Sequence, residues 1–378
     1  MSKTPMYYSI YQKLQADIRS GHYPVGENLP TDKILADNFD VSVITIKKAM
    51  ELLSNEGYVV RKPRKGTTVR DANPVKQRVL NTSHALFGLI VTNFTDFFGA
   101  GILRSILSTA TDHTDFIVKV SYGNVQQEER AISELVSMGV QGLIILPASS
   151  EYASPKLLEL TAKNFPVVVI DRLMGELPIS SVKTDNEAAA RALTDYLIDH
   201  GHTHIGMITS DSHVTTIDER ISGFMDAHLR RQLPFSRTQI NSNIDSVVPS
   251  SHVPIDKDLT KIKQFLLANP QLTAVVASEY NIALLIQQAA TALGRKIPED
   301  LSVVCFDSPA FNPYEARPFV FTHIQQDQEQ LGKTAVKLLV KKCHTQDFVQ
   351  KVTLGFKLIE GTSVANYKGV NLNVIEQK

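Results

Sequence analysis

Residues 29–69 read LPTDKILADNFDVSVITIKKAMELLSNEGYVVRKPRKGTTV, and the punctuation of this stretch decides the architecture of the N-terminal region. Thr31 is placed to cap a short helix, TDKILADNF, with Asp32 at the positive end of its dipole. A turn at Asp40-Val41 follows, and Ser42 then caps a second helix, VITIKKAMELLSNEG. Two short helices joined by a tight turn, the second rich in small polar and basic residues, make the helix-turn-helix pattern. Beyond Gly57, two β-rich runs (Tyr58–Val60 and Thr67–Val69) flank a turn containing Pro63 and Gly66, which reads as a two-stranded wing. Upstream, residues 7–20 put Ile10, Tyr11, Leu14 and Ile18 at helical spacing, and Gly21 ends that run.

The wing carries Arg61, Lys62, Arg64, Lys65 and Arg70, five basic residues in ten without an acid. Each phosphate neutralised by such a tip releases a counterion, so it points to double-stranded DNA as partner. The charge of the chain is divided in the same sense. Lys+Arg and Asp+Glu both number 39 over the 378 residues, yet residues 1–78 hold 13 basic and 8 acidic side chains, leaving the remainder acidic. A basic head on an acidic body is the signature of a local polyanion-binding module.

Residues 29–69 resemble, without a gap, the winged helix of GntR-type bacterial repressors, whose pattern runs roughly LPSE-x-x-LA-x-x-x-x-VSR-x-TVR-x-A. The resemblance implies DNA contacts from Lys33, Ser42, Thr45, Lys47 and Lys48, with Arg61, Lys62, Arg64, Lys65 and Gly66 at the wing. Val43 stands where the family has arginine. A valine can touch a thymine methyl but cannot bond guanine bidentately, so the family's guanine contact is not expected from this position.

Residues 71–84 are polar, contain a proline and lack an apolar period, which suits a linker between a head of 1–70 and a body of 85–378. In the body, apolar runs at 86–92, 116–121, 142–146, 167–170, 205–209, 274–277 and 301–306 alternate with helical stretches at 101–111, 126–138, 187–200 and 280–293. Continuous Val/Ile/Leu strands alternating with helices predict an α/β body of doubly wound parallel sheets. No internal repeat stands out. Ligands in such folds sit beyond the carboxyl ends of the strands. There the chain places Phe94, Asp96 and Phe98, then Asp171 and Arg172, then Arg220, then Glu279 and Tyr280, then Asp307. Carboxylates and arginines bond vicinal hydroxyls, and aromatic faces cover the C–H side of a sugar ring.

The segment from Phe87 to about residue 362 resembles the effector domain of LacI/GalR repressors, related to periplasmic sugar-binding proteins. The resemblance is carried by FGLIVTNFTDFF, GVQGLIILP, PVVVIDR, ERISGF, ALGRKIPEDLSVVCFDS and THIQQDQEQLG. It implies two α/β lobes around an effector cleft, with Arg220 on sugar hydroxyls. It also implies Asp307, Asp171 and Gln326 reaching the cleft, and Phe94, Asp96 and Phe98 in the first ligand loop. Ser308 stands where the family often has a second aspartate. The chain is expected to cross between lobes near residues 184, 310 and 324, and 352–364 to add to one lobe. The partners implied are operator DNA, a second copy in a homodimer and a small carbohydrate, L-arabinose being a candidate. A nucleobase corepressor is the alternative.

Other classes fit poorly. The cluster Gly99-Ala100-Gly101 has Arg104 where a dinucleotide fingerprint needs its third glycine or alanine, and neither a P-loop nor a G-x-S-x-G elbow occurs. No cofactor, metal or catalytic role is therefore expected, and the protein reads as a regulator, not an enzyme. His200, His202 and His204 sit beside Gly201, which looks like a helix C-cap. Cys305 and Cys343 have no CxxC partner. Without a secretion signal or a long apolar run, a cytoplasmic location is expected, which argues against a sugar-transport protein.

Overall fold

A computed structural model describes residues 6–62, 66–72, 84–95, 97–109, 114–175, 177–212, 214–309, 319–345 and 347–367. The chain divides into two compact units, one centred on the residues before Phe87 and the other on those from Phe87 onward.

The head begins with α1 (Met6–Arg19), which buries Ile10, Tyr11, Leu14 and Ile18. α2 (Asp32–Phe39) starts at Thr31, whose hydroxyl accepts from the Ile34 amide at 3.4 Å. It stops at Asp40, held in the left-handed region at φ 50°, a conformation Asp tolerates better than most residues. α3 (Val43–Asn55) is capped by Ser42, which accepts from the Thr45 amide at 3.3 Å. Its inward face, Ile46, Ala49, Met50 and Leu53, is wholly buried against α1 and α2. β1 (Val59–Lys62) and β2 (Gly66–Val69) pair antiparallel, Lys62 opposite Gly66. Gly66 has φ 90°, a left-handed conformation that suits glycine. Pro63, Arg64 and Lys65 lie outside the described residues, as does most of the 71–84 stretch.

The body runs β3 (Ala85–Val91), α4 (Ala100–Ser108), β4 (Thr114–Val120), α5 (Val125–Ser137), β5 (Leu143–Ile145), α6 (Pro155–Ala162), β6 (Val167–Ile170) and β7 (Ser180–Thr184). It continues with α7 (Asn186–Asp199), β8 (Ile205–Ser210), α8 (Thr215–Arg230), β9 (Ile240–Ile244), α9 (Ile255–Ala268), β10 (Ala274–Ala277), α10 (Tyr280–Ala292), β11 (Ser302–Phe306) and β12 (Thr322–Gln326). α11 (Gln328–His344), β13 (Lys351–Leu354) and β14 (Phe356–Ile359) close it. Two six-stranded sheets result, ordered β13-β7-β6-β5-β3-β4 and β14-β12-β11-β10-β8-β9. Their inner strands are parallel and fully buried, as the unbroken Val/Ile runs require. The sheets repeat one another in strand order, except that β13 joins β7 in parallel and β14 joins β12 antiparallel; the residue identities do not display this repeat.

The chain passes between the lobes at three places. β7 ends in the first sheet and α7 packs on the second; β12 ends in the second sheet and α11 packs on the first. The third passage is Gly355, which joins β13 in the first sheet to β14 in the second. The expected passage near 310 is thereby corrected: β11 and β12, on either side of it, belong to one sheet. Likewise 352–364 adds to both lobes and not to one.

Candidate functional site

A cavity of about 300 Å³ opens at the carboxyl ends of both sheets within the body. Asp171, Arg172, Arg220, Glu279, Asp307, Gln326 and Phe98 all line it. α8 brings in Arg220, and α8 can lie against α7 because of Gly223: a Cβ there would overlap the Glu187 carbonyl oxygen. Arg220 is buried. Its Nε donates to Asn186 Oδ1 at 2.9 Å, its Nη1 to the Ser278 carbonyl at 2.5 Å, and its guanidinium lies 3.8 Å from the centre of the Phe306 ring. Three anchors thus fix a cation before any ligand arrives.

Asp171 and Asp307 each follow a strand with positive φ, 67° and 61°, which turns the side chain out of the strand line. Gln326 Nε2 donates to Asp307 Oδ2 at 2.8 Å. Asp171 Oδ1 and Gln326 Oε1 are buried without a hydrogen-bond partner, a cost a polar ligand would relieve. Burial pushes the carboxyls of Glu279 and Asp307 up to about 7, against the pull of Arg220. Burial also raises Asp171, opposed by Arg172 and Arg220, and lowers both guanidinium groups. Arg172 donates to the Pro147 carbonyl.

The remaining expectations divide. Phe94 is 40% exposed and does not line the cavity; Phe97 takes that place, because the 95–99 turn is pinned by Gln328, which accepts from the Gly99 amide at 3.1 Å and donates to the Phe97 carbonyl at 2.8 Å. Asp96 lies outside the described residues. Tyr280 is set behind the wall, its ring 5.6 Å from Phe97 and 6.0 Å from Phe321, whereas Glu279 and Asn281 face the cavity. Asn281, in the stretch that follows β10 but not among the expected ligand residues, and the loop Val247–Ser250 also line the cavity; the loop has neither periodicity nor charge to announce it. His202 is spent on structure, with Nδ1 2.9 Å from Thr273 Oγ1 and Nε2 3.1 Å from the Ala365 carbonyl.

On the head, Lys33, Val43, Lys47 and Lys48 are exposed, and Lys48 also reaches the Tyr7 ring at 5.8 Å. Ser42 Oγ and Thr45 Oγ1 bond each other at 2.9 Å. Arg61 is paired with Asp32, so it is less free for phosphate than its neighbours in sequence suggest. The side chains of Lys62, Arg64 and Lys65 lie outside the described residues.

Residues 6–69 match the family model described as bacterial regulatory proteins, gntR family, and residues 194–364 that described as periplasmic binding protein-like domain. An arabinose metabolism transcriptional repressor of Geobacillus stearothermophilus is 26% identical over 343 residues, covering 89% of this chain and 91% of that protein. A protein of the same description from Halalkalibacterium halodurans is 26% identical over 373 residues, covering 96% and 97%. The crystal structure of transcription regulator CcpA of Lactococcus lactis superposes with a TM-score of 0.63 at 23% identity, over 74% of this chain and 99% of that one, a likeness of fold. Among the described residues no helix is long and apolar enough to cross a membrane.

Proposed function

We propose that this chain, which joins a GntR-type winged helix to a LacI-type, periplasmic-binding-protein-like body, is a DNA-binding transcription repressor whose operator affinity is set by a small sugar held in the body. The observation that carries the effector half is the pre-anchored Arg220 facing Asp307 and Glu279 in one cavity, with Asp171 Oδ1 unspent. A fixed cation among carboxylate acceptors is complementary to a ligand that is donor and acceptor at every carbon, as a polyol is. The cavity is at the small end of ligand sites, which suits a monosaccharide. The repressors of arabinose metabolism among its relatives make L-arabinose the first effector to test. Phe97 and Phe98 are the apolar plates, and Arg172, Gln326 and Asn281 complete the polar wall.

The head supplies the other half. α3 enters the major groove, with Lys33, Lys47, Lys48 and the wing on phosphates. The protein acts as a homodimer, two heads reading a pseudo-palindromic operator. Effector closing the cleft lowers operator affinity through a coupling of about 1–3 kcal/mol. The test is fluorescence anisotropy of an upstream duplex, titrated with and without a panel of sugars and nucleobases. L-Arabinose or another pentose should weaken binding by roughly 5- to 150-fold. A nucleobase that strengthens binding would replace the sugar reading by the corepressor one, and no binding to DNA would overturn both.

A further inference from the structure

The start of α3 presents apolar surface in a cationic frame. Ile44 is 69% exposed, more than any other large hydrophobic residue described in the head, and Val43 beside it is 38% exposed. Neither serves the head's core, which α3 fills from its other side with Ile46, Ala49, Met50 and Leu53. One turn further on, at the i+3 and i+4 positions that share their face, stand the exposed Lys47 and Lys48. The polar groups of this turn are committed elsewhere: the Ser42 hydroxyl takes the Thr45 amide and bonds the Thr45 hydroxyl. What the tip of the helix offers a partner is therefore methyl groups, flanked by two ammonium groups.

We infer that Val43 and Ile44 form an apolar reader of thymine, packing on 5-methyl groups in the major groove while Lys47 and Lys48 hold the adjacent phosphates. The first turn of the second helix in a helix-turn-helix is the part that reaches base edges. In the major groove only thymine displays a methyl group, and apolar side chains are its natural partners. The lysines select a polyanion over a neutral apolar partner, and the position on the helix selects the groove over the backbone. Each operator half-site is then specified by A·T pairs at the positions facing Val43 and Ile44, without a bidentate guanine contact from that turn.

The inference rests on the DNA-binding reading, and its test separates the two. The full-length protein selects duplexes from a random pool. The recovered site is resynthesised with deoxyuridine replacing each thymine in turn, which deletes one methyl and leaves the hydrogen-bonding edge intact. At one or two positions per half-site, affinity should drop about fourfold, the factor that goes with one buried methyl-sized group. V43A/I44A, altered only at exposed positions, should bind the thymine and deoxyuridine duplexes equally while keeping its dependence on salt. Tight binding that ignores every such replacement would overturn the thymine reader and leave DNA binding standing. So would unchanged discrimination by V43A/I44A. Failure to recover any duplex would overturn both.

Discussion

The two lobes of the body share a strand order and differ in how they spend their carboxylates. In both, the fourth strand of the lobe in chain order (β6 or β11) is followed by an aspartate with positive φ, whose amide donates to the next strand at 2.8 Å: Asp171 to Val182, Asp307 to Ile324. In both, the strand that follows ends beside a capping aspartate, Asp185 or Asp327, which accepts at 3.0 Å from the first turn of a helix that crosses to the other lobe. The repeat delivers two carboxylates to one cavity. The residues next to them break the symmetry. The last residue of β12 is Gln326, which bonds Asp307; the last residue of β7 is Thr184, and both its hydroxyl and Asp171 Oδ1 are buried without a partner. Asp307 thus has one carboxylate oxygen bonded by its neighbour and Asp171 has no such bond, while Gln326 Oε1 and Thr184 Oγ1 remain unpaired on either side. Fold repetition thus sets where the carboxylates go, and the neighbouring residue decides how much of each is already bonded.

The largest break in this comparison comes from removing the shared cation. Arg220→Ala leaves Asp307 and Glu279 in a buried wall without their counter-charge, and breaking such an arrangement costs about 3–5 kcal/mol. Effector-induced thermal stabilisation should vanish, while anisotropy with operator DNA in the absence of effector stays near wild type. Arg220→Lys should fail as well, because an ammonium cannot hold Asn186 and the Ser278 carbonyl in the same fork.

A smaller effect sharpens the asymmetry. Asparagine tolerates the left-handed backbone at both aspartates, so Asp171→Asn and Asp307→Asn change charge without strain. Asp171→Asn should weaken effector binding by about 10- to 150-fold, the worth of a hydrogen bond to a charged group. Asp307→Asn should weaken it less, since the contact with Gln326 survives. Equal losses in calorimetry would show that the lobes contribute alike.

The pH dependence is smaller again. The Glu279 carboxyl sits at about 7 in the folded protein, above its ordinary 4.5. The folded state therefore keeps a proton that the unfolded chain has already released. Stability falls as pH rises from about 4.5 through 7 and stays reduced above it. Glu279→Gln removes the titration, so its melting temperature should exceed that of wild type by a margin that opens between pH 5 and 8. That margin should be on the order of 2 kcal/mol, or a few °C. A constant margin would mean that Glu279 is ionised throughout.

Much of this was legible in the residues, for reasons that also explain the failures. Thr31 and Ser42 announce their helices because a capping hydroxyl has a fixed place in the chain. The central strands announce themselves because burial on both faces demands unbroken apolar runs such as VVVI. β7 (SSVKT), β9 (INSNI) and β12 (THIQQ) lack such a run because most of their residues are polar. Ser180 accepts from the Gln350 amide at 3.0 Å, Asn241 from the Asn243 amide at 3.2 Å, and His323 Nδ1 lies 2.8 Å from the Phe321 carbonyl. Strand-end carboxylates could be found because topology puts strand ends at the cleft. The turn that swaps Phe97 for Phe94 and the passage at Gly355 could not, because each depends on a partner more than a hundred residues away or in another sheet.

The last contrast between the lobes concerns who caps whom. α8, which carries Arg220, begins after Val214, whose side chain makes no capping bond. The cap comes from the first lobe: the Thr215 amide donates to Ser150 Oγ at 3.1 Å, and Thr215 Oγ1 in turn accepts from the Leu173 amide at 3.1 Å. On the proposed reading, in which effector closes the cleft, a helix whose cap sits on the opposite wall keeps that cap only in the closed form. Ser150→Ala removes it at a cost of about 1 kcal/mol, charged to the closed form alone. Effector affinity should fall about fivefold, Ser150→Thr should restore it, and the effector-free melting temperature should move little if the free protein is mostly open. A large drop in that temperature with unchanged effector affinity would mean that the lobes stay together with or without ligand, and that Ser150 is part of a static wall.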